Sequence, residues 1–497
     1  MSQVLNIIKD ETLTYHQQIL ELAAYADNSE KFIDYGETAE KLVKEGIICT
    51  MFEGEAPNRP RYIVPDYEKL MKEGCKFLEL APPQNIWEAT NTLLIFYKHV
   101  PSVMSFPVYL GNVDTLLEPF VKEEEEAYLA IKLFLQHIDK TLTNSFVHAN
   151  IGPKDTKAGR LILKASEELL LAIPNITVKY EEGVTGEDFM ELCARVTLKT
   201  AKPSFADHNR YVKEFGTENY AIVSCYNGFQ IGGGGYTLVR LVLANLAKKA
   251  KSVEDFMENL LPMGAKETLH VIDERSRFVL EESTFFKSNF LVKEGFVNQE
   301  LFAGMLGVVG LAEAVNMLLG LTEKEERYGH GERANQLGLE IVDKLASIAK
   351  AYHSPYVKCS HGNHYLHAQV GLDTDEGFSP GCRIPVGEEP ELLDHILQTA
   401  PYHKYFFNGI GDIFVFEETY QQHPEALVRI VKGAFENGLH YFSAYGAGSD
   451  VVRVTGYLAK RSEVERLEAG EAVVNNATVF AKGAKNNGHA FERKIRG

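Results

Sequence analysis

Apolar residues recur at three- and four-residue spacing over residues 11–24, 86–99, 123–137 and 156–171. That period predicts amphipathic helices through most of the first 200 residues. The opening twenty residues read as an amphipathic helix as well. Four glutamates at 123–126 predict a solvated helix start, where acidic side chains meet the positive end of the helix dipole. Residues 176–180 (ITVKY) predict a short strand. Near residue 200 the texture changes. Residues 220–225 (YAIVSC) are a β-rich run ending in a loop, and 236–249 read as a helix closing in lysines. Residues 301–319 read as a glycine-containing apolar helix, buried on several sides. Residues 412–416 (DIFVF) and 440–445 (HYFSAY) predict strands, the second running into a Gly-rich loop, with a helix at 424–436 between them. Strands alternating with helices predict βα units and a mostly parallel sheet or barrel.

Composition changes this picture little. The 497 residues are 45% hydrophobic and 24% charged, as in ordinary globular proteins. The formal net charge of -18 argues against nonspecific binding to nucleic acid or membrane surfaces. No run of about 18 apolar residues predicts a membrane span. No basic head with an apolar run and a cleavage site marks the start, so a cytoplasmic location is expected. Six cysteines stand at 49, 75, 193, 225, 359 and 382, without CxxC spacing. They predict free thiols and no four-cysteine zinc site.

The chemistry concentrates in two segments. Residues 450–459 (DVVRVTGYLA) hold Arg453, Val454, Thr455, Gly456 and Tyr457 near the chain end. As a plain turn residue, Gly456 would supply a positive φ. Mid-chain, residues 218–225 (ENYAIVSC) lead to Cys225, followed by a glycine-bearing loop and an Asn-Leu-Ala-Lys run at 245–248. Residues 306–315 (LGVVGLAEAV) and 434–441 (AFENGLHY) add two more recognisable stretches.

Together these stretches resemble the glycyl radical enzymes, the pyruvate formate-lyase and anaerobic ribonucleotide reductase superfamily, and within it the YjjI group. The resemblance covers residues 200–497. It implies a ten-stranded α/β barrel around two fingertip loops, with a helical N-terminal portion. It implies a post-translational radical stored on Gly456 and a working thiyl radical on Cys225. With the helical portion that the apolar period predicts over 1–200, it gives three expected parts: that portion, a barrel with the cysteine loop over 201–445, and a radical segment over 446–497. It also implies a radical SAM activating enzyme, using S-adenosylmethionine and an iron–sulfur cluster, as partner. A small-molecule substrate and a homodimer complete the expectation, with no bound metal, nucleic acid or membrane.

The residue types suit the chemistry. A radical at a glycine Cα is delocalised onto the flanking amide and carbonyl. A thiol S–H is weak enough for that radical to take its hydrogen. Both groups need a buried site that excludes water and oxygen.

The neighbours of Cys225 depart from the known chemistries. Ser224 stands where pyruvate formate-lyases carry a second cysteine. Asn227 stands where dehydratases usually place a glutamate base; a carboxamide takes no proton, which leaves Asn227 as a substrate-binding candidate. Residues 400–456 hold no cysteine, unlike the zinc module of anaerobic ribonucleotide reductases. Lyase or eliminase chemistry is the first expectation. A reductase-like reaction with a second thiol, Cys382 or Cys359, is the alternative, and a non-catalytic barrel the third.

Arg383, beside Cys382, is a candidate clamp for a carboxylate or phosphate. His353, His361, His364 and His367 crowd the same region as candidate bases. With Cys359 they could also make a metal site, though in no zinc spacing, and hydrogen-bonding roles fit them better. Glu388 and Glu389 are further candidate bases, or the solvated start of a helix. The glycine run 232–235 matches no nucleotide-loop spacing and reads as a flexible loop beside Cys225, before a helix.

Overall fold

The structure, a computed structural model, describes every residue except 1, 52, 56, 103–105, 369–376, 455 and 476–490. The helices Tyr15–Asp27, Ile86–Tyr97, Glu124–Thr141 and Lys157–Leu169 fall where the apolar period places them. Each start has a local cause. Thr14 forms a reciprocal capping box with Gln17, Asn85 accepts from Glu88 N, and Thr156 accepts from Gly159 N. Glu124, Glu125 and Glu126 fill the first turn of their helix. The opening stretch is two helices, Gln3–Ile8 and Tyr15–Asp27, broken between.

Two sheets organise the rest. In the first, Gly234–Val242, Phe302–Val309 and Tyr365–Ala368 run parallel, with Ile48–Cys49 and Tyr62–Ile63 antiparallel to Gly234–Val242. The second places His148–Ile151, Asn175–Tyr180 and Ser204–Asp207 in parallel. Tyr441–Gly446 joins it antiparallel, and Ile413–Phe416 and Ile495–Arg496 follow parallel to that strand. Among the described residues the hydrogen bonds leave two larger sheets, of five and six strands, and two separate two-stranded hairpins, and not the expected single ring of ten.

Two expected helices begin as strands. Residues 236–249 fold as the strand Gly234–Val242 with only Leu243–Ala247 helical. Residues 301–319 fold as the strand Phe302–Val309 and the helix Leu311–Leu319. Both strands are buried on both faces, which erases the alternation that marks a half-exposed strand. The faces serve different cores. Leu238, Met305 and Tyr365 join the core that contains Cys225. Val239, Leu306 and Leu366 join a second core with Leu269, Val315 and Ile341 of the covering helices. Gly310 turns strand into helix at φ 75°, where a Cβ would stand 2.9 Å from that of Ala244.

The glycine run 232–235 leads into a strand, and close packing explains it better than flexibility. A Cβ on Gly233 would meet the Leu301 carbonyl at 2.4 Å, and one on Gly234 the Tyr62 carbonyl at 2.0 Å.

Candidate active site

Strands Tyr220–Val223 and Asn227–Gln230 pair antiparallel, with Val223 opposite Asn227. Ser224, Cys225 and Tyr226 form the tip of this hairpin, and all three are buried. A buried tip needs partners for its backbone, and the second sheet supplies them. Asn150 makes both bonds to Ile222, at 2.7 and 2.8 Å. The Lys179 ammonium donates to the Tyr220 carbonyl at 2.7 Å, and Tyr441 donates to that of Cys225 at 2.9 Å. His148 Nδ1–H donates to the Ser224 carbonyl at 2.5 Å, so its Nε2 accepts from Thr177 at 2.8 Å. Burial pushes the His148 pKa down to about 3, and the ring is neutral. On the other side, Tyr226 donates to the Ala368 carbonyl of the first sheet at 2.8 Å.

Gly456 reaches this tip from the end of the chain. The strands Val451–Arg453 and Leu458–Lys460 pair as a hairpin, and Gly456 lies buried at its turn. A Cβ built on Gly456 would lie 2.5 Å from Cys225 Cβ, 2.8 Å from Cys225 Sγ and 3.1 Å from Tyr226 Cε1. One Cα–H of Gly456 therefore points at Cys225, and no larger residue fits. The φ of Gly456 lies outside the left-handed region. A turn requirement does not explain this glycine; its contact with Cys225 does.

Burial pushes the Cys225 thiol up to about 11, against the opposing pull of the Ser224 hydroxyl and of Arg453, Arg383 and Arg61. The sulfur keeps its hydrogen at neutral pH. That suits hydrogen-atom transfer and not nucleophilic attack, which needs a thiolate.

The signature residues hold the loop. Arg453 is buried; it donates to Asn175 Oδ1 at 3.1 Å and reaches the Gly456 carbonyl at 3.5 Å. Val454 and Tyr457 pack in the core that contains Cys225. Thr455 lies outside the described residues.

Arg383 and His367 also stand at the cysteine tip. Arg383 lies over the Tyr226 ring at 5.8 Å and donates to the Gly411 carbonyl at 2.8 Å. The His367 ring lies 5.8 Å from that of Tyr226, and burial pushes its pKa down to about 3. A Cβ on Gly409 would touch both His367 Nδ1 and Asn227 Oδ1, two buried atoms without a hydrogen-bond partner. Arg61 Nε is also buried and unpartnered, while Arg61 Nη1 pairs with Glu53.

Other candidates lie apart. Cys382 packs in the second core with Tyr328 and Tyr402, although Arg383 beside it reaches Tyr226. Cys359 is half-buried, 3.5 Å from the Phe302 carbonyl and 3.8 Å from the Tyr365 hydroxyl. His364 is engaged by Gly304 N at 2.9 Å and Asp273 at 2.8 Å. Among the described residues no group of three or more His, Cys, Asp or Glu could hold a metal ion. Glu388 pairs with Arg327 at 2.9 Å, and Glu389 accepts from Gly387 N at 2.8 Å. Two surface cavities, of about 580 and 420 Å³, touch neither Cys225 nor Gly456.

Sequence reasoning missed His148, Asn150, Tyr441, Arg61 and Arg493. His148 and Asn150 carried a signal, being polar residues two apart in an otherwise apolar strand and so on one face.

A glycine Cα–H aimed at a buried, protonated thiol from the opposite fingertip is the arrangement of a glycyl radical enzyme. The chain matches the YjjI-like glycyl radical enzyme family over residues 13–496, and it belongs to that family. An uncharacterized protein of Haemophilus influenzae is 44% identical, over 100% of this chain and 98% of its own length. Solved structures share the fold at low identity. The anaerobic ribonucleotide reductase of Thermotoga maritima, with dATP and CTP, is 12% identical with a TM-score of 0.69, over 93% of each chain. The B12-independent glycerol dehydratase of Clostridium butyricum, in its glycerol-bound form, is 11% identical with a TM-score of 0.67, over 100% of this chain and 88% of its own. Glycyl radical enzymes need an activating enzyme to install the radical. No described helix is long and apolar enough to cross a membrane.

Proposed function

We propose that the chain stores a radical on Gly456 and uses Cys225 to abstract hydrogen from a small molecule. The observation that carries this is the Cα–H of Gly456 directed at the Cys225 sulfur. An activating enzyme removes one hydrogen atom from Gly456. The glycyl radical takes the S–H hydrogen of Cys225, which leaves a thiyl radical and a restored glycine. The thiyl takes a hydrogen atom from a substrate carbon. After rearrangement or elimination the product radical takes that hydrogen back, and the radical returns to Gly456.

Arg383 and Asn227 are the proposed substrate contacts, with residues 446–497 as the radical segment. Positive charge from Arg383 and Arg61 near the thiol favours an oxygen-rich or anionic substrate. Lyase or eliminase chemistry is favoured over a reductase that uses Cys382, which packs in the second core. The family resemblance supports a cytoplasmic homodimer, served by a radical SAM activating enzyme with an iron–sulfur cluster.

Anaerobic activation followed by electron paramagnetic resonance tests the reading. A glycyl doublet is expected, and protein grown on [2-13C]glycine must show added splitting. No doublet under competent activation, or a doublet surviving Gly456→Ala, overturns it. Chain cleavage at Gly456 in air is the supporting observation.

A further inference from the structure

The last residues of the chain hold the radical loop from outside. The Arg493 guanidinium donates to the Arg453 carbonyl at 2.8 Å and to the Val454 carbonyl at 2.5 Å, two residues before Gly456. Arg493 is only 9% exposed. The strand Ile495–Arg496, two residues on, is fixed in the second sheet beside Val415 and Phe416. Arg496 continues the grip inward. It donates to His395 Nδ1 at 2.9 Å, and His395 Nε2–H donates to Asp412 at 2.7 Å. Asp412 follows Gly411, whose carbonyl holds Arg383 over the Tyr226 ring. Phe491 lies under Arg461, on the helix that follows the radical hairpin. One short segment thus touches the radical loop and the backing of the cysteine tip.

We propose that residues 491–497 are a latch, with Arg493 the positioning residue that holds Gly456 against Cys225 and yields when the loop leaves for activation. The idea rests on the glycyl radical reading. Carbonyls 453 and 454 lie three and two residues before Gly456, so the two bonds fix the chain that leads into the turn carrying its Cα–H. A charge-assisted pair of bonds from a planar guanidinium is both strong and directional. Lysine offers one point charge and cannot reproduce the fork. The latch also sets a sequence of events: as the loop swings out, the Arg493 bonds and the pairing of the last strand are released together.

The test uses the full chain with its activating enzyme. In Arg493→Gln the glycyl signal should appear about tenfold faster or more, because both charge-assisted bonds are lost and a carboxamide restores at most one neutral bond. Arg493→Lys should fall between. The second readout is geometric. In D2O the wild-type doublet should collapse to a singlet as Cys225 S–D returns deuterium to Gly456, and Arg493→Gln should slow that collapse. Lys494→Ala, which breaks only the surface pair with Glu391, should change neither. Wild-type activation kinetics in Arg493→Gln, or equal acceleration in Lys494→Ala, overturns the latch. Should Arg493→Gln fail to fold, hydrogen exchange on the wild type decides. On adding activating enzyme, peptides spanning 451–460 and 491–497 must lose protection together. Opening of the first with the second still protected overturns the proposal, whether or not a radical forms.

Discussion

The two fingertips are built by different means. The cysteine tip is woven into the second sheet: its backbone is bonded by Asn150, His148, Lys179 and Tyr441, each on a strand of that sheet. The glycine tip is clasped. Its described side-chain anchors are two guanidiniums, Arg453 and Arg493, and the second stands two residues before the last strand of the chain. A woven tip leaves only when bonds from three strands break together. A clasped tip leaves when a few polar bonds exchange with water. The difference fits the chemistry each must do. On the proposed reading the thiol works in place, whereas the glycine must meet another protein before it works.

The sharpest way to separate the tips is to disable one and question the other. Cys225→Ser should abolish turnover and leave the glycyl doublet intact, now without collapse in D2O. Gly456→Ala should abolish both turnover and doublet. Loss of the doublet in a folded Cys225→Ser would mean that the tips are not independent.

Acid should attack the woven tip next. His148 and His367 are buried and neutral, with pKa values pushed down to about 3 from the usual 6.5. The unfolded chain binds these protons more readily, so stability is full above pH 6.5 and falls as pH drops from 6.5 toward 3. Each histidine costs about 1.4 kcal/mol per pH unit in that window. Urea midpoints measured from pH 7.5 down to 4.5 should fall, and less steeply in His148→Gln. An unchanged slope would remove His148 from the account.

A control outside both tips is Cys382→Ala, which should lower stability by about 1–3 kcal/mol and leave turnover intact. Loss of turnover at unchanged melting temperature would revive the reductase reading, and Cys359→Ala asks the same of the remaining thiol. The smallest effect is Tyr441→Phe, expected to cost about 1 kcal/mol for the lost bond to the Cys225 carbonyl. A calorimetric shift much above that would mean Tyr441 does more than hold the tip.

Most of this site was legible where chemistry writes itself into short segments. Residues 218–225 and 450–459 name both tips, and Arg453 and Gly456 stand where their pattern puts them. The helices of the first 200 residues were legible because one face is wet. Strands Gly234–Val242 and Phe302–Val309 were not, because burial on both faces removes the period that distinguishes strand from helix. The supporting residues were hidden for another reason. His148 meets Ser224 across 76 positions, and Tyr441 meets Cys225 across 216. Contacts at that separation have no local pattern to read.

The protonated state of Cys225 has a practical consequence. Surveys that search proteomes for working cysteines use electrophiles, which report thiolates on the surface. A buried thiol that holds its proton up to about pH 11 would pass such a survey unlabelled. Inhibitors for this site would have to be sought among hydrogen donors and radical traps, a different region of chemistry from the acrylamides and haloacetamides.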